Sequence, residues 1–261
     1  MEVVIVESAE QGAAVVAGAI ADLVTRTPDP VLGLATGSTP LPVYDDLVRR
    51  HEVDGLSFAR ARGFALDEYV GLPRDHPESY RAVLEREFVG RVDFPRSALR
   101  TPDGWADDIP AACVEYEAAI RAAGGIDLQL LGVGSDGHIG FNEPTSSLAS
   151  STRIKTLTRQ TREDNARFFD GDVEAVPEHV LTQGVGTIGR ARHLVLLAWG
   201  EGKAAAVAAT VEGPVTSMVP SSALQLHPHA TVVVDEEAAR DLRLRDYYRE
   251  VYFGKPDWQS I

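Results

Sequence analysis

One cysteine, Cys113, is the whole thiol content of this 261-residue chain. A lone thiol excludes an internal disulfide and any metal site built from several cysteines. It fits a reducing setting, and a cytoplasmic location is expected. No basic region precedes the first apolar run, Met1-Glu2-Val3-Val4-Ile5-Val6. That run reads directly as a strand, so no signal peptide is expected. The longest apolar stretch, Ala13 to Val24, is interrupted by Asp22 and is too short to cross a bilayer. Positive charge is also short: 25 Lys and Arg against 39 Asp and Glu leave a net charge of −14. That balance argues against nucleic-acid and anionic-membrane partners. Any anionic ligand must then be held by local donors. No repeat, low-complexity linker or charge block divides the chain, so a single domain over residues 1–261 is expected.

What is present is ordinary for a globular chain with a proper core: 44% hydrophobic and 25% charged residues. Apolar runs at Val3–Val6, Val31–Ala35, Gly63–Leu66, Leu128–Val133, His193–Trp199 and Ala230–Val234 read as strands. Helical patterns lie between them, at Ala9–Thr25, Pro40–Arg50, Ser79–Phe88, Ile109–Ala123, Lys203–Glu212 and Ser221–Leu226. This alternation predicts an α/β fold, Rossmann-like, with an open, mostly parallel sheet and helices on both faces. Thr158–Val180 is the exception, polar and weakly periodic. It reads either as a surface excursion or as a mobile lid over a site.

In such sheets ligands bind beyond the carboxyl ends of the strands. After Val31–Ala35 comes Thr36-Gly37-Ser38-Thr39-Pro40, either a capped helix start or a phosphate cradle. The Gly-Lys-Ser/Thr ending of a Walker loop is missing, which excludes that mode of nucleotide binding. After Gly63–Leu66 comes Asp67, a carboxylate where burial is costly unless it is paired or used. It is a candidate general base, or else a cap or salt-bridge partner. After His193–Trp199 comes Lys203, in the first turn of a helix, where the dipole disfavours a cation. An anionic ligand or simple solvation would explain it.

Gly-Val-Gly-Ser-Asp-Gly-His-Ile-Gly-Phe-Asn-Glu-Pro, residues 132–144, is the most informative stretch. It gathers Asp136, His138 and Glu143 among glycines at the end of a strand. In extended backbone, residues two apart point to the same side, so Asp136 and His138 can face one ligand. An imidazole beside a carboxylate suits acid–base work near neutral pH.

These residues carry a resemblance. Leu-Ala-Thr-Gly-Ser-Thr-Pro (34–40), Leu-Asp-Glu-Tyr-Val-Gly-Leu (66–72), Gly-Ser-Asp-Gly-His-Ile-Gly-Phe-Asn-Glu-Pro (134–144), Thr-Arg-Ile-Lys-Thr-Leu-Thr (152–158) and Leu-Gln-Leu-His-Pro-His-Ala (224–230) occur in this order. With them the chain resembles the glucosamine-6-phosphate deaminases, in the wider group that also holds 6-phosphogluconolactonases, from the first strand to about residue 236. The resemblance implies conversion of glucosamine 6-phosphate and water to fructose 6-phosphate and ammonia, in amino-sugar catabolism, with no metal and no organic cofactor. It implies that Asp67 takes the C2 proton and returns it at C1. His138 would open the pyranose ring, with Asp136 and Glu143 as its partners. Gly37, Ser38, Arg167 and Lys203 would bind the sugar phosphate, and Thr158–Val180 would be a lid bearing Arg167.

In allosteric members of the group, N-acetylglucosamine 6-phosphate binds between subunits of a hexamer. Ser147, Arg153 and Lys155 match its phosphate-binding positions, so a homo-oligomer is implied. The segment Leu242–Arg249 departs from those members' pattern and leaves both the control and the hexamer open. Three alternatives stand beside the main reading. One is a galactosamine-6-phosphate deaminase, which would differ only in pocket shape. Another is a 6-phosphogluconolactonase, which needs no C2 base. The last is a non-catalytic sugar-phosphate sensor, which would need a DNA-binding domain that the chain has no room for before Val3.

Overall fold

In the computed structural model, which describes residues 1–256 and 258–261, the strands begin with β1 (Glu2–Val6), β2 (Val31–Leu34), β3 (Arg62–Ala65), β4 (Asp67–Tyr69) and β5 (Leu99–Arg100). They continue with β6 (Leu128–Gly132), β7 (Arg153–Thr156), β8 (His179–Thr182), β9 (His193–Ala198) and β10 (Ala230–Asp235). The helices are α1 (Ala9–Arg26), α2 (Leu41–Asp54), α3 (Tyr80–Glu87), α4 (Ile109–Ala122), α5 (Arg159–Asn165), α6 (Val185–Ile188), α7 (Ala204–Val211) and α8 (Arg245–Phe253). A seven-stranded sheet runs in the order β1-β10-β9-β6-β2-β3-β5, with every neighbouring pair parallel. The expected open parallel α/β sheet is therefore present.

Its strands are buried on both faces, and successive residues serve different cores. Leu194, Leu196, Val232 and Val234 join one apolar cluster, while Val195, Leu197 and Val233 join the other. This is the two-residue side-chain period of a strand covered on both sides. From β2 the chain proceeds outward through β3 to β5, then returns to the other side of β2 as β6. The strand order thus reverses between β2 and β6. Loops that leave their carboxyl ends diverge there and open a crevice.

A second sheet, β4-β8-β7, is antiparallel. The sequence pattern misses it because its strands are only three or four residues long. One residue, Leu66, separates β3 in the large sheet from β4 in the small one. Three further expectations are corrected. Ser221–Leu226 is not an α-helix but part of a 3-10 turn over Pro220–Leu226. Lys203 lies in a 3-10 turn, Glu201–Lys203, and the α-helix starts at Ala204. The polar stretch 158–180 ends inside β8, which begins at His179. Between them, α5 and two 3-10 turns fold over the small sheet, with Ala166, Phe169 and Val176 buried against Tyr69, Phe141 and Val180. Burying such a side chain stabilises by about 1.5–3 kcal/mol. The stretch is therefore docked on an apolar floor and is no loose excursion.

Candidate active site

The crevice at the reversal point is a cleft of about 350 Å³. Asp67, His138, Gly37, Arg167 and Lys203 all line it, brought from five separate segments of the chain. No helix among the described residues is long and apolar enough to cross a membrane.

Asp67 opens β4 opposite Thr182 and is 5% exposed. Its neighbour Glu68 points to the other side of the strand and is fully buried. There it accepts hydrogen bonds from the backbone N–H groups of Tyr69 (3.0 Å), Tyr80 (2.9 Å) and Arg81 (3.0 Å), capping α3. Glu68, which the sequence pattern passes over, is thus the structural carboxylate. Among the described residues no group donates a hydrogen bond to the Asp67 side chain or pairs with it, so the cap and salt-bridge readings of Asp67 fall. Burial pushes its carboxyl well above the ordinary range, and the Glu68 charge adds to the shift. An unpaired carboxyl facing a cleft is a competent base.

The 132–144 loop is tied into a rigid unit. Gly134 N–H donates to His138 O at 2.9 Å, Gly137 N–H to Gly134 O at 3.0 Å, and Ser221 N–H to Gly137 O at 3.0 Å. Asn142 ties the loop to itself and to the residue after β8 by donating to Ile139 O (2.9 Å) and Gln183 O (2.8 Å). The His138 ring rests on Gly134, where any Cβ would overlap the imidazole. Nδ1 of His138 lies 2.7 Å from Asp136 Oδ1 and 3.8 Å from Glu143 Oε2. The ring N–H does not point along the short line, so this is a close polar pair and not a linear hydrogen bond. The imidazole holds the Asp136 carboxyl well below its usual range. Burial pushes the Glu143 carboxyl the other way, opposed by a hydrogen bond from Thr161 Oγ1 at 2.7 Å. Asp136 and Glu143 stand behind the imidazole and do not line the cleft. Two carboxylates pushed apart around one imidazole make a tunable proton shuttle. Each of the three groups offers a ligand atom within 4.8 Å of the others, a spacing compatible with a cation.

The cleft's other end is built for an anion. The backbone N–H groups of Thr36, Gly37, Ser38 and Thr39 donate to no described protein group, and Gly37 has φ +88°. Arg167 and Lys203 have no carboxylate within 4 Å among the described residues. Burial lowers the Lys203 ammonium, and the nearby charge of Arg167 adds to it. Two facing cations beside a row of free N–H groups suit a phosphate. Ser38 lines an adjoining recess with Leu41, Tyr69 and Phe168. Two positioning contacts were not legible in the sequence. Trp199 Nε1–H donates to Thr39 O at 3.0 Å. Asp235 accepts from Gly200 N at 2.9 and 3.0 Å and fixes the turn that carries Lys203. Trp199 directly follows β9 and Asp235 ends β10, which is the only signal they give.

Ser147, Arg153 and Lys155 do not line the cleft. Arg153 donates to Asn142 Oδ1 at 2.8 Å, so it touches the active-site loop from behind. Arg249 is engaged with Glu236 at 2.6 Å.

The sequence matches the family described as glucosamine-6-phosphate isomerases/6-phosphogluconolactonase over residues 6–234. The chain belongs to this family. It is 63% identical, over the full length of both chains, to a glucosamine-6-phosphate deaminase of Mycolicibacterium smegmatis. It is 54% identical to the one of Bifidobacterium longum, covering 100% of this chain and 99% of that one. Among solved structures, a monomeric glucosamine-6-phosphate deaminase superposes with a TM-score of 0.90 at 42% identity, covering 92% of this chain and 100% of that one. The 6-phosphogluconolactonase of Trypanosoma cruzi has a TM-score of 0.74 at 21% identity, covering 93% and 97%, a likeness of fold alone. The TM-scores of 0.90 and 0.74 place the fold described above with the folds of both structures.

Proposed function

We propose that this chain is a glucosamine-6-phosphate deaminase that converts D-glucosamine 6-phosphate and water to D-fructose 6-phosphate and ammonia. The observation that carries this reading is Asp67: a buried, unpartnered carboxylate in the same cleft as a histidine shuttle. A lactonase, which only opens an ester, has no use for a carbon base there. The identities of 54–63% to deaminases support the same choice. The sensor reading loses its ground for the same reason.

In this reading the phosphate lies against Gly37, Ser38, Arg167 and Lys203, which fixes the far end of the sugar. His138 takes the proton of the anomeric hydroxyl and gives it to the ring oxygen, opening the hemiacetal. Asp67 removes the C2 proton to form an enolamine and returns it at C1. Water then adds to the C2 iminium, and ammonia leaves. Asp136 and Glu143 keep the imidazole oriented and able to carry the proton both ways. Residues 158–178 act as a lid, which keeps water from the enolamine. Ser147, Arg153 and Lys155 stand as contacts for a regulatory sugar phosphate, with a cytoplasmic location and a homo-oligomer as the matching setting. Titration with N-acetylglucosamine 6-phosphate tests that part through a change in half-saturation.

The reaction itself is tested by ammonia release from glucosamine 6-phosphate under metal chelation, with galactosamine 6-phosphate and 6-phosphogluconolactone alongside. Lactone hydrolysis without ammonia would overturn the reading. A sharper check concerns the loop. Gly134→Ala pushes the imidazole off its seat, and misplacing a catalytic group by about 1 Å costs up to about 100-fold. We expect kcat to fall by about 10- to 100-fold with KM little changed. A Gly134→Ala enzyme with wild-type kcat would show that the ring position is unimportant.

A further inference from the structure

The hydroxyl that reaches Glu143 comes from the 158–178 segment and not from the catalytic loop. Thr161 is 9% exposed, and its Oγ1 donates to Glu143 Oε1 at 2.7 Å. The same oxygen lies 2.9 Å from Thr158 Oγ1, which in turn accepts from Thr161 N–H at 3.1 Å. An ionised carboxylate can only accept. The chain therefore has one direction, Thr158 O–H to Thr161 O, then Thr161 O–H to Glu143. The other Glu143 oxygen faces His138 at 3.8 Å. Six residues beyond Thr161, the same segment presents Arg167 to the anion end of the cleft. One short piece of chain thus touches both the phosphate site and the carboxylate behind the imidazole.

We propose that Thr161 is a positioning residue through which seating of this segment on the substrate phosphate sets the orientation and charge of Glu143, and so readies His138. The proposal rests on the deaminase reading and adds to it a link between phosphate binding and ring opening. The other groups around Glu143 do not supply that link. His138 and Asp136 sit on its own loop, Arg153 of β7 is turned to Asn142, and Lys203 stands on the turn after β9, with no described carboxylate within 4 Å.

The test pairs Thr161→Val, which keeps the shape and removes the hydroxyl, with Thr161→Ser, which keeps the hydroxyl. Losing a hydrogen bond to a charged group is expected to lower kcat by about 10- to 100-fold in the valine variant. KM should stay near wild type. The acid limb of kcat should move to higher pH, because a carboxylate without its donor protonates more readily. Serine should restore most of the rate. Wild-type kcat and pH profile in Thr161→Val, or equal losses in both variants, would overturn the proposal. A readout independent of turnover is the His138 ring titration by nitrogen-15 NMR with and without inorganic phosphate. Phosphate should move it in wild type and much less in Thr161→Val, and an equal response in both would also overturn the link. Absence of ammonia release by the wild-type enzyme would count against the deaminase reading alone, and the NMR comparison would still decide the role of Thr161.

Discussion

Asp67→Asn is expected to abolish nearly all turnover, by about 1,000-fold, within the about 100- to 10,000-fold range of a lost general base. The amide keeps the size of the side chain and cannot accept a proton from carbon. Because no group among the described residues holds the Asp67 carboxylate, its replacement breaks no described network and should leave the melting temperature unchanged or higher. The pH dependence follows from the same carboxyl. Burial and Glu68 raise Asp67 well above the ordinary carboxylate range. The base must be ionised to act, so kcat/KM of the wild type should rise with pH through that raised value and not near pH 4. Ring opening does not need this group, so Asp67→Asn should still open the sugar and bind it with wild-type affinity. Near-normal ammonia release by this variant would show that Asp67 is structural.

The second large effect concerns binding. Lys203→Met and Arg167→Met are each expected to raise KM by about 10- to 100-fold, the worth of a charge-assisted contact. Without ligand, burial disfavours the Lys203 ammonium and the like charge of Arg167 adds to the cost. Removing either should therefore leave the empty protein as stable as before, or slightly more so. A lysine that served structure would do the reverse. Substrate titration and thermal unfolding on the same variants separate the two cases: a lower melting temperature with an unchanged KM would remove Lys203 from the phosphate site.

The large sheet was legible because six of its strands are largely apolar runs four to six residues long, four of them followed by a loop with its own signature. Loop position at the carboxyl ends then gathered Gly37, Asp67, His138 and Lys203 without knowledge of the strand order. The small sheet was not legible. Arg153–Thr156 alternates half-buried and exposed residues, and Asp67–Tyr69 is too short for any period to show. Glu68 and Thr161 were missed for a related reason. Each acts through a partner distant in sequence, Tyr80 and Arg81 for one and Glu143 for the other. A carboxylate that caps a helix twelve residues on looks, in sequence, the same as one on the surface.

The pairing of β1 with β10 sets Glu2 against Thr231, so the first strand made is completed by one of the last. At about 5–20 residues per second of synthesis, β1 waits on the order of ten seconds or more for its partner. The turn that carries Lys203 is held by Asp235, at the end of that same late strand. A growing chain therefore holds Asp67 and His138 long before the turn that carries Lys203 can be fixed.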